Sequence, residues 1–307
     1  MAMNTKKIKR LWISIKKNRG LYLMFLPVLL YYIIFHYIPM YGIQIAFRDY
    51  VPNRGFSGSA WVGFKHFQRF FESYYFWRLL KNTLGISLYT LLVGTPLPII
   101  LAIMFHHIGG KKLKSIYQSV TYIPHFISTV VVVALISFFF GNEGIINSVF
   151  NKIGLESYPF KAAPEAFWHL FVWSGTWQTL GWSSIIYSAS IAAIPEDQFE
   201  AAHMEGAGII RSIWHIILPG ILPTITILTI LSMGRIMSVG FEKILLMQNN
   251  INLENSDVIS TYIYQIGILR GQHSFSTAIG LFNNIVNFIL LIIANVVSKS
   301  VSDTSLW

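Results

Sequence analysis

Residues 195–219 read PEDQFEAAHMEGAGIIRSIWHIILP. The stretch is too polar to cross a lipid bilayer, yet long apolar runs flank it on both sides. Pro195 suits the first position of a helix, and Glu196, Asp197 and Glu200 suit its positive end. Ala201 and Ala202 continue a compact helix. Gly206 and Gly208 permit a tight turn. A second, amphipathic helix then carries Ile209, Ile210, Ile213, Trp214 and Ile217 and ends at Leu218–Pro219. This pattern predicts a short helix–turn–helix projecting from a membrane, with small residues that let another surface approach and acids that can pair with its cations. An ordinary loop between two spans is the plainer reading.

The rest of the chain supplies the membrane. Of 307 residues, 54% are hydrophobic and 12% are charged, against about 25% charged in a soluble domain. Too few charges remain to cover a soluble surface, which excludes a disordered chain and a typical cytosolic enzyme. The absence of Cys excludes disulfides, thiolate metal sites and Cys nucleophiles. Six stretches reach the ~20 apolar residues that a spanning helix needs: roughly Leu21–Phe47, Leu79–His107, Ile116–Phe140, Ala166–Ile194, Pro219–Phe241 and Ser276–Ser298. The first is too long for a cleavable signal and has no small-residue cleavage site after it. The predicted fold is therefore an all-α integral membrane protein with six transmembrane helices. Residues 1–20 form a basic flank, 21–298 one six-span membrane domain, and 299–307 a short tail.

Charge sets the orientation. The net charge is +10, and residues 1–20 hold seven cations and no acid. Such a cluster sits on the cytosolic side, against anionic lipid headgroups. With the N-terminus inside, the inner segments carry 12 cations and the outer ones nine, so both termini are expected in the cytosol. No basic patch lies on a soluble fold, and no nucleic-acid partner is expected. The outer segments are then 48–78, 141–165 and 242–275. In the first, Phe64, Phe67, Phe70 and Phe71 share one helical side, as in an interfacial helix or a folded loop packed on the spans.

The spacing at 195–219 also carries a resemblance. Glu200-Ala201-Ala202, three residues, Gly206, nine residues, Ile216, one residue and Leu218-Pro219 resemble the "EAA" motif of binding-protein-dependent ATP-binding-cassette (ABC) importer permeases. The match covers 20 positions; Glu205 stands where the family often has Asp. Further stretches, in the right order, resemble the oligosaccharide and polysaccharide branch of that family. They are Phe35–Gly42 (FHYIPMYG), Tyr122–Ser128 (YIPHFIS), Ser238–Glu242 (SVGFE), Asp257–Tyr262 (DVISTY) and the terminal Ser305-Leu306-Trp307.

The resemblance implies that 195–219 is a cytosolic coupling loop docking into an ATPase subunit, with Glu200, Ala201, Ala202, Glu205 and Gly206 at the contact. It further implies a homologous second permease, a cytosolic ABC ATPase dimer and an extracytoplasmic solute-binding protein. An oligosaccharide cargo and a place in the bacterial cytoplasmic membrane complete the expectation. The sequence has no GxxxxGK[ST]; Gly109-Gly110-Lys111-Lys112 is only a basic turn. ATP and its Mg therefore belong to the partner ATPase, and the chain is expected to bind no cofactor of its own. No HExxH or GxSxG occurs, and His36, His66, His106 and His107 have no metal-ligand spacing, so no catalytic or metal site is expected.

A sugar path needs hydrogen-bonding groups and aromatic faces. In the fourth span Ser174, Trp177, Gly181, Ser184 and Ser188 share one stripe, flanked by Trp173, Gln178 and Trp182. The stripe is either a glycan-facing wall or a close helix contact through small residues. Asn283, Asn284 and Asn287 of the sixth span face protein or water, because lipid cannot satisfy an amide. They contact substrate or knit helices. Arg235, near the middle of the fifth span, is a gate or path residue or one half of a structural pair, with Glu242 two turns away on the same side. His125, behind Pro124, reads as a packing residue more readily than as a proton relay.

Overall fold

The computed structural model describes residues 16–302. Most of the basic flank and the terminal Ser305-Leu306-Trp307 lie outside the described residues. The described chain is overwhelmingly helical. Its one departure from an all-α fold is a two-residue antiparallel ladder, β1 (Arg48–Asp49) with β2 (Ala60–Trp61), in register Arg48↔Trp61.

Five helical runs are long and apolar enough to cross a membrane: Arg19–Phe47 (α1), Phe76–His107, Thr129–Lys152, Ile209–Met233 and His273–Lys299. The second consists of α3 (Phe76–Gly94) and α4 (Pro96–His107), joined at Thr95. Pro96 stands at the first position of α4, where no N–H is needed. The fourth expected span is α8 (Pro164–Ala192), 29 residues and about 43 Å long. Its Ser, Thr, Gly and Gln residues keep it out of the most apolar class, and six spans are not established by apolarity alone.

Two expected spans are redrawn. Ile116–Phe140 is not one helix. It divides into α5 (Lys111–Tyr122) and α6 (Thr129–Phe140), separated by a 3₁₀ turn at Ile123–Phe126. Pro124 sits in that turn, and the Ser128 hydroxyl caps α6 by accepting from the Val131 amide at 3.4 Å. Helix α7 (Ile145–Lys152) follows α6 after a glycine turn. The expected Pro219–Phe241 span lies earlier, as α10 (Ile209–Met233). The amphipathic second half of the 195–219 loop is continuous with it through a π turn at Ile213–Ile217. Proline inside a helix removes a donor and crowds the carbonyl four residues back. A π turn ahead of it widens the helix and lets it continue. The same arrangement recurs in α1, where the π turn Ile33–Tyr37 precedes Pro39.

The segment 242–275 is not a surface loop. Helices α11 (Phe241–Met247), α12 (Leu253–Ser256) and α13 (Ile259–Leu269) fold back into the bundle ahead of α14 (His273–Ser302). Ile244, Met247, Val258, Ile259, Tyr262 and Ile266 are buried there. Polar anchors hold the segment. The Asn82 amide donates to the carbonyls of Glu254 (2.8 Å) and Asp257 (2.9 Å). Arg78 pairs with buried Asp257 at 3.0 Å, and the Thr83 hydroxyl accepts from the Ile259 amide.

Packing also decides the segment 48–78. Helix α2 (Lys65–Phe71) buries His66, Phe67 and Phe70 but leaves Phe64 and Phe71 exposed. Phe70 meets the rings of Phe275 and Phe282 at 6.5 and 5.6 Å, so this is a folded segment seated on α14. At the other end, Ile99, Ala102, Tyr187, Ile191, Ile217 and Ile221 form a cluster where α4, α8 and α10 converge. By contrast, no residue of Arg19–Tyr32 is buried.

Candidate functional site: a projecting helix and a polar cavity

Helix α9 (Glu196–Met204) stands out from the bundle, with no residue buried. Pro195 occupies the N-cap and not the first helical position, and Glu196 and Asp197 follow in the first turn. The helix ends on Gly206 at φ +74°. Around it the Glu205 amide donates to the Ala201 carbonyl, Gly206 to His203 and Ala207 to Ala202, at 3.1, 3.0 and 2.9 Å. This left-handed cap satisfies carbonyls that the helix end would leave open. A Cβ at Gly206 would meet nothing within 4 Å, so the backbone angle alone asks for glycine.

One side chain ties the projection down. Phe199 packs onto the cluster of Tyr187, Ile191 and Ile217, with its ring 5.2 Å from His106. Glu200, Ala201, His203, Glu205 and Gly206 face outward, and Ala202 is half-buried. Beside them Met204 is 88% exposed, with Ile209, Ile210 and Trp214 also exposed. Exposed apolar side chains flanked by acids have the composition of a protein-binding face. The structure thus places the five sequence-derived residues on one projection.

The candidate path residues do not converge. Trp173 and Trp177 line an apolar groove of about 760 Å³ between α6 and α8. The Trp173 indole donates to the Tyr89 hydroxyl at 2.9 Å. Gln178 is turned elsewhere; its amide donates to the Ile127 carbonyl at 2.7 Å and fixes the break before α6. Asn287 knits helices, accepting from the Met237 amide at 2.8 Å and donating to the Ser238 hydroxyl at 3.2 Å. Asn284 is exposed, while Asn283 keeps a buried Oδ1 without a partner. In the fourth-span stripe, Gly181 lies against the Thr121 carbonyl and Ser184 is fully buried. That part is a close helix contact with α5. His125 stacks on Trp182 at 4.4 Å, a packing role.

Arg235 does not lie within a spanning helix. It follows the end of α10, in the turn at Gly234–Met237, and Glu242 lies beyond a further bend and not on a shared helix face. Arg235 lines a polar cavity of about 430 Å³ that also touches Ser87, Thr90, Thr176, Ser238 and Lys243. An adjoining space of about 360 Å³ shares Thr95, Ser232 and Arg235 and adds Trp182 and Tyr187. Sequence reasoning missed Lys243, placing it in an outer loop. The signal was available: FEKILLM at 241–247 surrounds that lysine with residues suited to a core.

Comparison with known proteins fixes the family. Residues 94–303 match the family described as "Binding-protein-dependent transport system inner membrane component". The chain belongs to that family. This permease is a transport subunit of an ABC importer and not an enzyme. It is 40% identical to Protein LplB of Bacillus subtilis (strain 168), over 96% of this chain and 93% of that one. It is 41% identical to the polygalacturonan/rhamnogalacturonan transport system permease protein YteP of the same organism, over 98% and 94%. Among solved structures it resembles a chain of a bacterial alginate ABC transporter in complex with an alginate pentasaccharide-bound periplasmic protein. The TM-score is 0.90 and the identity 38%, covering 97% of this chain and 100% of that one.

Proposed function

We propose that this permease carries oligosaccharides or glycan fragments into the bacterial cytoplasm by ATP-driven alternating access. Relatives named for polygalacturonan, rhamnogalacturonan and arabinooligosaccharide transport support the cargo class. The observation that carries the mechanism is the exposed projection of Glu200, Ala201, Glu205 and Gly206, joined by the short turn at 205–208 to α10, whose first turns expose Trp214. In this reading a cytosolic ABC ATPase dimer, which holds ATP and Mg, receives α9. Both termini lie in the cytosol and the chain crosses the membrane six times, with α8 as the fourth span beside the five most apolar runs. A homologous second permease and lipid cover α1, whose unburied apolar surface needs a partner. A solute-binding protein delivers cargo at the outer face, where 48–78 is folded on α14.

Alternating access requires that each ligand favour one state over the other. ATP binding draws the ATPase halves together, and α9 moves with the surface it docks on. Phe199 and α10 pass that movement into the helices around the cavity. The test is purification of the tagged permease in mild detergent, with mass spectrometry of what accompanies it and assay of sugar-stimulated ATP hydrolysis. A second permease, an ATPase and stimulation by an oligosaccharide are expected. A chain that transports alone, with no ATPase in any detergent, overturns the reading.

A further inference from the structure

The 430 Å³ cavity between α3, α8 and the turn after α10 is charged on one side only. Arg235 and Lys243 line it, and its lining contains no Asp or Glu. Among the described residues, neither cation has a carboxylate within ion-pair distance. The cavity flanks Val172–Thr179, close to the midpoint of α8, and an unanswered cation at membrane depth is costly.

Lys243 is more than nine-tenths buried. Its ammonium donates to the Phe171 carbonyl at 2.9 Å and lies 4.9 Å from the Phe171 ring. An ammonium has three donors, so two are left for a ligand. The wall beside it is kept open: a Cβ at Gly175 would stand 3.2 Å from Lys243 Nζ. Thr176, also more than nine-tenths buried, lines the same cavity, and its hydroxyl has no partner. A buried ammonium with spare donors, an orphaned hydroxyl and a guanidinium thus surround one space.

We propose that this cavity is a carboxylate-binding subsite, and that the cargo is an acidic oligosaccharide bearing uronate groups. The inference rests on the oligosaccharide reading above. A guanidinium matches a carboxylate in two-pronged geometry, and a charge-assisted bond to Lys243 adds a second anchor. Thr176, Ser87 and Ser238 take the sugar hydroxyls, and Trp182 in the adjoining space offers a face to the ring. A neutral sugar fills the same volume but leaves both charges unanswered.

The test uses the complete importer in proteoliposomes, with one binding protein in every arm, so differences between wild type and variant on the same trimer belong to the permease. Uptake of a galacturonate trimer is compared with that of its carboxyl-reduced, neutral counterpart. Lys243→Met and Arg235→Gln are each expected to lower kcat/KM for the acidic trimer about tenfold or more, the loss of one charge-assisted contact. The neutral trimer should change by less than about threefold on the same scale. Arg235→Lys, which keeps the charge, should restore part of the acidic preference; if the wild type carries no neutral trimer at all, this rescue is the deciding readout. A loss shared equally by both trimers, absence of rescue, or loss of the second permease from the purified complex makes the cations structural and overturns the subsite. Equal uptake of both trimers by wild type and variants overturns the subsite but leaves the oligosaccharide reading standing. Uptake of neither trimer by an assembled, ATP-hydrolysing complex overturns both.

Discussion

Gly206 offers a graded test of the projection, because its environment separates backbone conformation from contact. At φ +74° an L-residue is disfavoured, and yet a Cβ would meet no atom within 4 Å. The cost of Gly206→Ala is therefore conformational, about 1–2 kcal/mol, which shifts the local equilibrium about 5- to 30-fold. Asn tolerates the left-handed region better and should cost less. Val, branched at Cβ, should cost more. The nearby Gly208 is the control. It lies at φ −77°, ψ 172° as the N-cap of α10, with open space around its Cβ position. Gly208→Ser supplies a preferred cap there and is expected to be neutral or slightly stabilising. The assay is sugar-stimulated ATP hydrolysis of the reconstituted importer, beside the amount of ATPase that copurifies. The expected order at position 206 is Gly, Asn, Ala, Val. Full activity in Gly206→Val would refute the conformational argument. Asn, Ala and Val variants that all lose activity equally would show that contact with the partner, and not the backbone, selects glycine.

Other outcomes follow from the packing. Arg78→Met leaves buried Asp257 without its ion partner and is expected to destabilise the fold by about 3 kcal/mol. Asp257→Asn should cost less, because burial already pushes that carboxyl above its ordinary pKa; thermal unfolding in detergent ranks the two, and equal midpoints would contradict the assignment. Gly181→Leu drives a side chain into the Thr121 carbonyl and should cost at least about 1–3 kcal/mol from overpacking, read as a lower unfolding midpoint and lower yield. The hydrogen bond and charge of Lys65, helped by His66, hold the Asp49 carboxyl below its usual range. Its contribution to the β1–β2 ladder is therefore complete above the ordinary carboxylate pKa and is lost as pH falls through the lowered value. Trp61 fluorescence should follow this acid transition, and Asp49→Asn should remove it.

The sequence made the spans legible where apolarity and length agreed. Phe76–His107 and His273–Ser302 lie within three or four residues of their expected starts and ends. The helix–turn–helix at 195–219 was legible because first-turn acids and a turn glycine have local signatures, whereas the coupling role proposed for Glu200, Ala201, Ala202, Glu205 and Gly206 comes from the family resemblance. What apolarity could not convey was which apolar residues meet lipid and which meet protein. Segment 242–275 looked like an outer loop because Asn249, Asn250 and Asn252 resemble a turn. In the fold Asn252 is buried, donating to the carbonyls of Lys161 and Met247. Arg235 was misplaced for a related reason: hydropathy does not sense that α10 begins at Ile209, inside the amphipathic loop. The break at Ile123–Ser128 was signalled by Pro124 and Ser128, but the apolar run across them masked it. Lys243 faces a cavity whose walls come from α3, α8 and the turn after α10, and no local pattern records such a meeting.

The continuity of α10 makes it a lever. Its 25 residues give a rod about 37 Å long. Tilted by about 10° about its Met233 end, such a rod swings the end next to α9 through roughly 6 Å, the scale of one helical turn. The π turn at Ile213–Ile217 lies one turn from the α9 end and includes the buried Ile217. It is the natural place for the rod to flex. If α9 docks as proposed, replacing the joint with a regular α turn would stiffen the arm and deliver a movement of α9 farther along, toward Arg235.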